Sequence, residues 1–83
     1  MNYRVYVLIE VPILDKKYEL LIPIDKRIHE IISLLRKNIP ELTENYYKIN
    51  EPNIINKSTG EIYDMNQMIK NSNIKTGTRL VLI

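Results

Sequence analysis

The stretch YELLIPIDKRIHEIISLLRKNIP, residues 18–40, changes its hydrophobic period part-way along, and that change decides the fold. In its first seven residues Tyr18, Leu20, Ile22 and Ile24 fall on one side and Glu19 and Leu21 on the other, the two-residue period of a strand. From Ile28 onward Ile28, Ile31, Ile32, Leu35 and Ile39 share one stripe at helical spacing, while Glu30, Ser33 and Lys37 take the opposite face. The spacing predicts a helix over 26–38. Asp25 is its expected N-cap, because a side-chain oxygen there can accept from the free amides of the first turn, although Lys26 and Arg27 oppose the helix dipole. Asn38 and Pro40 are expected to stop it, the asparagine in a left-handed cap and the proline by breaking the turn. Pro23 has no N–H to give to a ladder, which puts the end of its strand at a sheet edge or at the strand's exit.

Working outward, residues 3–11, YRVYVLIEV, also alternate, with Val5, Val7, Ile9 and Val11 on one face and Arg4, Tyr6, Leu8 and Glu10 on the other. The turn-forming segment LDKK after Pro12 makes this strand and the next an antiparallel hairpin. Beyond the helix, YYKIN (46–50) is a short strand candidate with Tyr47 and Ile49 inward, and NIINKSTGEIYD (53–64) is a small hairpin turning at Ser58, Thr59 and Gly60. MNQMIKNSNI supplies Met65, Met68, Ile69 and Ile74 as a loop or short helical turn over the open end of the core. The last ten residues, IKTGTRLVLI, form a strand after a turn at Gly77, with Leu80 and Leu82 inward. This order places one helix on one face of a mixed four- to five-stranded sheet, an α+β arrangement of the β-grasp kind, formed as a single domain over residues 1–83.

Composition narrows the chemistry. A chain of 83 residues builds one thin core, burying roughly 60–65% of its unfolded surface. Its 45% hydrophobic and 27% charged content is ordinary for a globular protein. The absence of cysteine removes disulfides, thiolate nucleophiles and cysteine-ligated metals, and fits a reducing compartment, the cytoplasm by default. The net charge of +2 is spread over the pairs Lys16-Lys17, Lys26-Arg27 and Arg36-Lys37, each with carboxylates nearby, which describes a solvated surface and not a nucleic-acid stripe. VYVLIEVPIL is cut by Glu10 and Pro12 and falls short of the ~20 residues of a membrane span, and the N-terminus lacks the pattern of a secretory signal.

No catalytic constellation emerges, and the chain is not read as an enzyme. His29 is the lone histidine, on the flank of the helix, and with Glu30 alone it makes no metal site. Ser33, Ser58 and Ser72 have no histidine-based triad to activate them. NKSTGE has its lysine before its glycine and sits between short strands, the wrong order and context for a phosphate loop. Asp15, Asp25 and Asp64 belong to turns or caps. Tyr3, Tyr46 and Tyr47 lie near Arg4 and Lys48, but nucleic-acid readers need aromatics on adjacent central strands in a basic field. No cofactor, no metal and no nucleic acid is expected.

In this order IPIDKRIHEIISLL, NIPE and MIKNSNIKTGTRLVLI resemble the strand-to-helix passage, post-helix turn and closing segment of the ubiquitin-like β-grasp family, with Ile74 six residues before Leu80. Within it, KYELLIPIDKRIHEIISLLRKNI and IINKSTGEIYDMNQMIKNSNIKTGTRLVLI are most similar to the YukD/EsaB-type small ubiquitin-like proteins of Gram-positive bacteria. The resemblance implies a non-enzymatic, cytoplasmic accessory component of the type VII systems that export small helical WXG-type proteins, peripheral at most to the membrane machinery. Ubiquitin and the sulfur carriers act through a mobile Gly-Gly terminus. Here Ile83 ends the strand and no glycine follows Gly77, so conjugation and sulfur transfer are not expected. A modifier or sulfur carrier whose glycine tail is missing from this chain, and a β-grasp interaction module of an unrelated pathway, are the alternatives.

A surface then remains as the means of action. Tyr6, Leu8, Leu21, Val81 and Ile83 are expected close together on the outer face of the sheet, rimmed by Arg4, Glu10, Glu19, Lys48 and Arg79. An apolar centre within a charged rim is the anatomy of a protein-docking site. Ordinary scattered exposure of apolar side chains is the plain alternative. The sequence leaves open whether two such faces pair into a homodimer.

Overall fold

A computed structural model of the chain describes residues 3–39, 41 and 53–83. β1 (Arg4–Val11) and β2 (Lys16–Pro23) pair antiparallel, from Arg4 opposite Pro23 to Val11 opposite Lys16. Pro12–Leu14 form one tight helical turn between them, and Asp15 takes a left-handed φ of 53° that reverses the chain, a conformation its short polar side chain tolerates. The alternation read from the sequence is realised. Val7, Ile9 and Val11 are fully buried, Ile22 is buried, and Val5, Tyr18, Leu20 and Ile24 pack at the margin of the core.

The helix, α1 (Ile28–Asn38), begins two residues later than the spacing predicts, and Asp25 does not cap it. Its N-cap is Arg27, in extended conformation and with no side-chain bond to the helix amides. The reason lies far away in the sequence. The Ile28 and His29 amides donate to the Gln67 and Met65 carbonyls, both at 3.0 Å, so orphan donors of the first turn are already satisfied. The accepting segment is held there by an Arg27–Met68 bridge, by the Arg27 guanidinium on the Asn66 carbonyl at 2.6 Å, and by the Ile69 and Lys70 amides on the Lys26 and Ile24 carbonyls. At the other end the expected left-handed cap is absent. Ile39, the C-cap, is extended, as a residue preceding proline is steered to be. Asn38 instead turns its side-chain amide onto the Leu34 carbonyl at 2.9 Å. Pro40 itself, and the predicted strand at 46–50 with Tyr47 and Ile49, lie outside the described residues.

β3 (Ile54–Asn56) and β4 (Arg79–Leu82) complete a four-stranded sheet in the order β2-β1-β4-β3. β4 runs parallel to β1, with Ile9 opposite Leu80, and antiparallel to β3, with Ile55 opposite Val81. Pro23 therefore ends an edge strand, where its missing donor costs the ladder nothing. The 53–64 segment turns where predicted, with Gly60 at φ 77°, but its return arm makes only a single bridge, Ile62 to Ile55. The Asn56 side-chain oxygen fixes this turn by accepting from the Ser58 and Thr59 amides at 2.9 and 3.2 Å.

Ile28, Ile31, Ile32 and Leu35 of α1 meet Val7, Ile9, Val11, Ile54, Leu80 and Leu82 from one face of the sheet, and Tyr63, Ile69 and Ile74 complete the buried cluster. This is the predicted α+β layering, one helix on one face of a mixed sheet, with four strands among the described residues. Removing a side chain such as Leu80 down to alanine would cost roughly 2–5 kcal/mol.

Candidate protein-binding face

With α1 covering one face, strand alternation turns Tyr6, Leu8 and Glu10 of β1, Lys17, Glu19 and Leu21 of β2, Arg79 and Val81 of β4 and Ile55 of β3 to the other. The register fixes who stands beside whom. Tyr6 is opposite Leu21, Leu8 lies between Glu19 and Arg79, and Glu10 lies between Lys17 and Val81, which in turn faces Ile55. Ile83 continues the outward alternation past Leu82 and exchanges two backbone hydrogen bonds with Asn53, at 2.9 and 3.0 Å.

The five residues singled out from the sequence thus lie on an oblique line, Leu21–Tyr6–Leu8–Val81–Ile83, each step a direct or diagonal cross-strand neighbour or the next outward residue along a strand. It is a stripe and not a centred patch, because Glu19 and Arg79 flank Leu8 on either side and Glu10 sits beside Val81. Leu21 is 60% exposed, Tyr6 42% and Ile83 44%, while Leu8 and Val81 are half-buried. Of the expected rim, Arg4, Glu19 and Arg79 are exposed and Glu10 is half-buried; Lys48, like Tyr46 and Tyr47, lies outside the described residues. Two apolar residues of this face escaped the sequence reading: Ile55, half-buried beside Val81, and Ile62, 62% exposed beyond it. Ile55 stands between Ile54 and Asn56, which point inward, but that alternation becomes readable only once β3 is known to pair with β4.

Local electrostatics hold the flanks in place. The Tyr6 hydroxyl donates to the Glu19 carboxylate, and that bond, followed by desolvation and the carboxylate's charge, raises the phenol above its ordinary value. Glu10 accepts from the Lys57 ammonium and lies 3.5 Å from that of Lys17. The Lys57 hydrogen bond is the main reason its carboxyl titrates below the usual range, against a smaller opposing effect of desolvation.

The remaining polar candidates serve the backbone. Ser33 donates to the His29 carbonyl, Ser72 to the Ile69 carbonyl, and Asp64 accepts from the Asn66 amide. His29 stands exposed on α1. Among the described residues no three of His, Cys, Asp and Glu gather as a metal site would need, and no helix is long and apolar enough to cross a membrane.

The fold is similar to that of the UBL domain of Plasmodium falciparum Dsk2, at TM-score 0.66 and 16% identity over 98% of this chain and 100% of that one. It is similar too to the ubiquitin-like domain of an Arabidopsis thaliana protein, at TM-score 0.69 and 12% identity over 96% and 76% of the two chains. The fold is a ubiquitin-like β-grasp. A chain of a toluene 4-monooxygenase complex is also similar in fold, at TM-score 0.72 and 5% identity over 96% of both chains, so the fold alone does not choose between an interaction module and a part of an enzyme. No protein-family model and no curated protein matches the sequence.

Proposed function

We propose that this chain is a non-catalytic ubiquitin-like protein that acts in the cytoplasm by holding a protein partner against the outer face of its sheet. The observation that carries this is the oblique apolar stripe from Leu21 to Ile83, continued by Ile55 and Ile62 and flanked by Glu19, Glu10 and Arg79. Apolar side chains in line supply binding energy, and charges on the flanks set orientation. For the setting we propose a type VII-like secretion system, supported by the likeness of KYELLIPIDKRIHEIISLLRKNI and IINKSTGEIYDMNQMIKNSNIKTGTRLVLI to the YukD/EsaB-type proteins.

The test is affinity capture from cells of the native organism with the wild-type chain and a Tyr6→Asp/Leu21→Asp variant whose circular dichroism matches it. Both side chains are exposed and directly opposed, so the variant should fold. Recovery of secretion components by the wild type, reduced at least about ten-fold in the variant, is expected if these are contact residues of ordinary weight. Equal recovery by both proteins would remove the stripe, and recovery of activating enzymes in place of secretion components would remove the setting. Sedimentation of the purified chain separates a hetero-partner from a homodimer closed through the same stripe.

A further inference from the structure

At one end of the sheet the 56–60 turn and the 73–79 segment enclose an open polar cavity of about 370 Å³. Ser58, Thr59, Lys75, Thr76, Thr78 and Arg79 line it together with Asn56 and Asn73. Its chemistry is one-sided. The hydroxyl oxygens of Thr59, Thr76 and Thr78 each accept a backbone N–H, from Glu61, Tyr6 and Lys75 respectively, at 3.2, 3.2 and 2.9 Å. Those bonds fix the oxygens and leave each O–H proton to be given away. The Ser58 hydroxyl has no partner among the described residues, and neither the Lys75 ammonium nor the Arg79 guanidinium has a carboxylate there, whereas Lys16, Lys17, Lys26 and Lys57 all do. No carboxylate lines the cavity.

The scaffold behind these donors is hydrogen-bonded throughout. Asn56 is buried, its amide on the Tyr63 hydroxyl and its oxygen under the Ser58 and Thr59 amides. Lys75 to Thr78 close a turn through the Thr78 amide on the Lys75 carbonyl, with Gly77 at φ 94°. The amides that would cradle a phosphate in NKSTG are thus spent on Asn56, in keeping with the rejection of a phosphate loop there; the donors left over are side chains.

We propose that this cavity binds an oxyanion of the phosphate class, held by the Lys75 and Arg79 cations and by the hydroxyls of Ser58, Thr59, Thr76 and Thr78. Hydrogen bonds from charged donors to such an ion are the strong ones, and a guanidinium matches two of its oxygens at once. The ion is free phosphate or pyrophosphate, or the phosphoryl group of a phosphorylated side chain. The site does not depend on the apolar stripe: Arg79 borders both, but Lys75 belongs to the cavity alone.

The test is a nuclear magnetic resonance titration of the ¹⁵N-labelled chain at constant ionic strength, with inorganic phosphate, pyrophosphate, and a phosphoserine peptide beside its serine counterpart. Saturable shifts confined to the amides of residues 56–60 and 73–79 are expected with at least one phosphate-bearing probe. Lys75→Gln and Arg79→Gln should each weaken that probe about ten-fold or more while the rest of the spectrum stays in place. Saturation by the inorganic ions assigns the free species, and saturation by the phosphopeptide alone assigns the carried one. Shifts that stay linear with every probe, that spread over the whole surface, or that are unchanged in both variants overturn the site. Lys75→Gln should leave partner capture by the stripe intact, so the two readings fail separately.

Discussion

The Tyr63 hydroxyl donates to the side-chain oxygen of Asn73 at 2.6 Å, tying the loop before β4 to the turn after β3. The Tyr63 phenol oxygen in turn accepts from the Asn56 side-chain amide at 3.0 Å, so one buried phenol joins three segments. Tyr63→Phe should keep the ring's packing and strand the Asn56 donor. The expected loss is about 1–3 kcal/mol, read as a lower urea midpoint at unchanged slope. A loss within error would mean water replaces the hydroxyl at no cost.

That phenol also carries a pH dependence. Burial is the main cause of its raised pKa, with the Glu61 charge adding to it and the Asn56 hydrogen bond opposing it. A group whose pKa is raised on folding stabilises fully below its unfolded value, here 10.0, and the contribution is lost as pH climbs through the folded value. Unfolding free energy of the wild type should therefore fall with rising pH above that point more steeply than that of Tyr63→Phe. Parallel curves would show that other tyrosines and lysines account for the slope.

Glu10 gives the opposite sign at the acid end. Its pKa is lowered in the folded chain, chiefly by Lys57, from an ordinary value of 4.5. Its stabilisation is present above that value and drains away as pH falls through the lower folded one. Glu10→Gln should be less stable than wild type at neutral pH, and the gap should close in acid and narrow with added salt, because the carboxylate is solvent-accessible. A gap independent of both pH and salt would point to packing and not to charge.

Asp25→Ala should shift stability by no more than about 0.5 kcal/mol, the range of an ordinary surface substitution, where loss of a true N-cap would cost about 1 kcal/mol. Thermal denaturation of the two proteins decides this, and a fall of the larger size would restore Asp25 as a cap.

Gly77→Ala should cost about 1–2 kcal/mol. Nothing lies within 4 Å of the added methyl group, so the penalty comes from the φ of 94° and not from crowding. Gly77 also donates its amide to the Tyr6 carbonyl at 2.8 Å, so the variant should speed hydrogen exchange at that amide. Unchanged stability would show that the turn can relax to a negative φ.

Elements whose pattern is local were legible in the sequence. β1, β2 and α1 declare themselves by periods of two and of about 3.6, and Leu80 and Leu82 point inward as their alternation requires. The start of α1 and the form of its C-terminal cap were misread, although its end at Asn38 was not, because what decides them lies beyond the helix's own pattern. Asp25 looks like a cap until Met65 and Gln67 bring carbonyls to the same amides, and Asn38 looks like a left-handed stop until Pro40 forces Ile39 into an extended form. The outer face was legible as a set of residues and not as a shape. Alternation placed Tyr6, Leu8, Leu21, Val81 and Ile83 outward, but their alignment, and the addition of Ile55 and Ile62, depend on strand register, which no single segment encodes.

The acceptors for the first two amides of α1 are translated more than thirty residues after those amides. A nascent chain that has emerged only as far as Ile39 holds the hairpin and the helical stripe, yet its helix must begin frayed. Synthesis of residues 65–74 then supplies both the acceptors for the helix start and Ile69 and Ile74 for the core, which ties the maturation of the N-terminal half to the arrival of the C-terminal half.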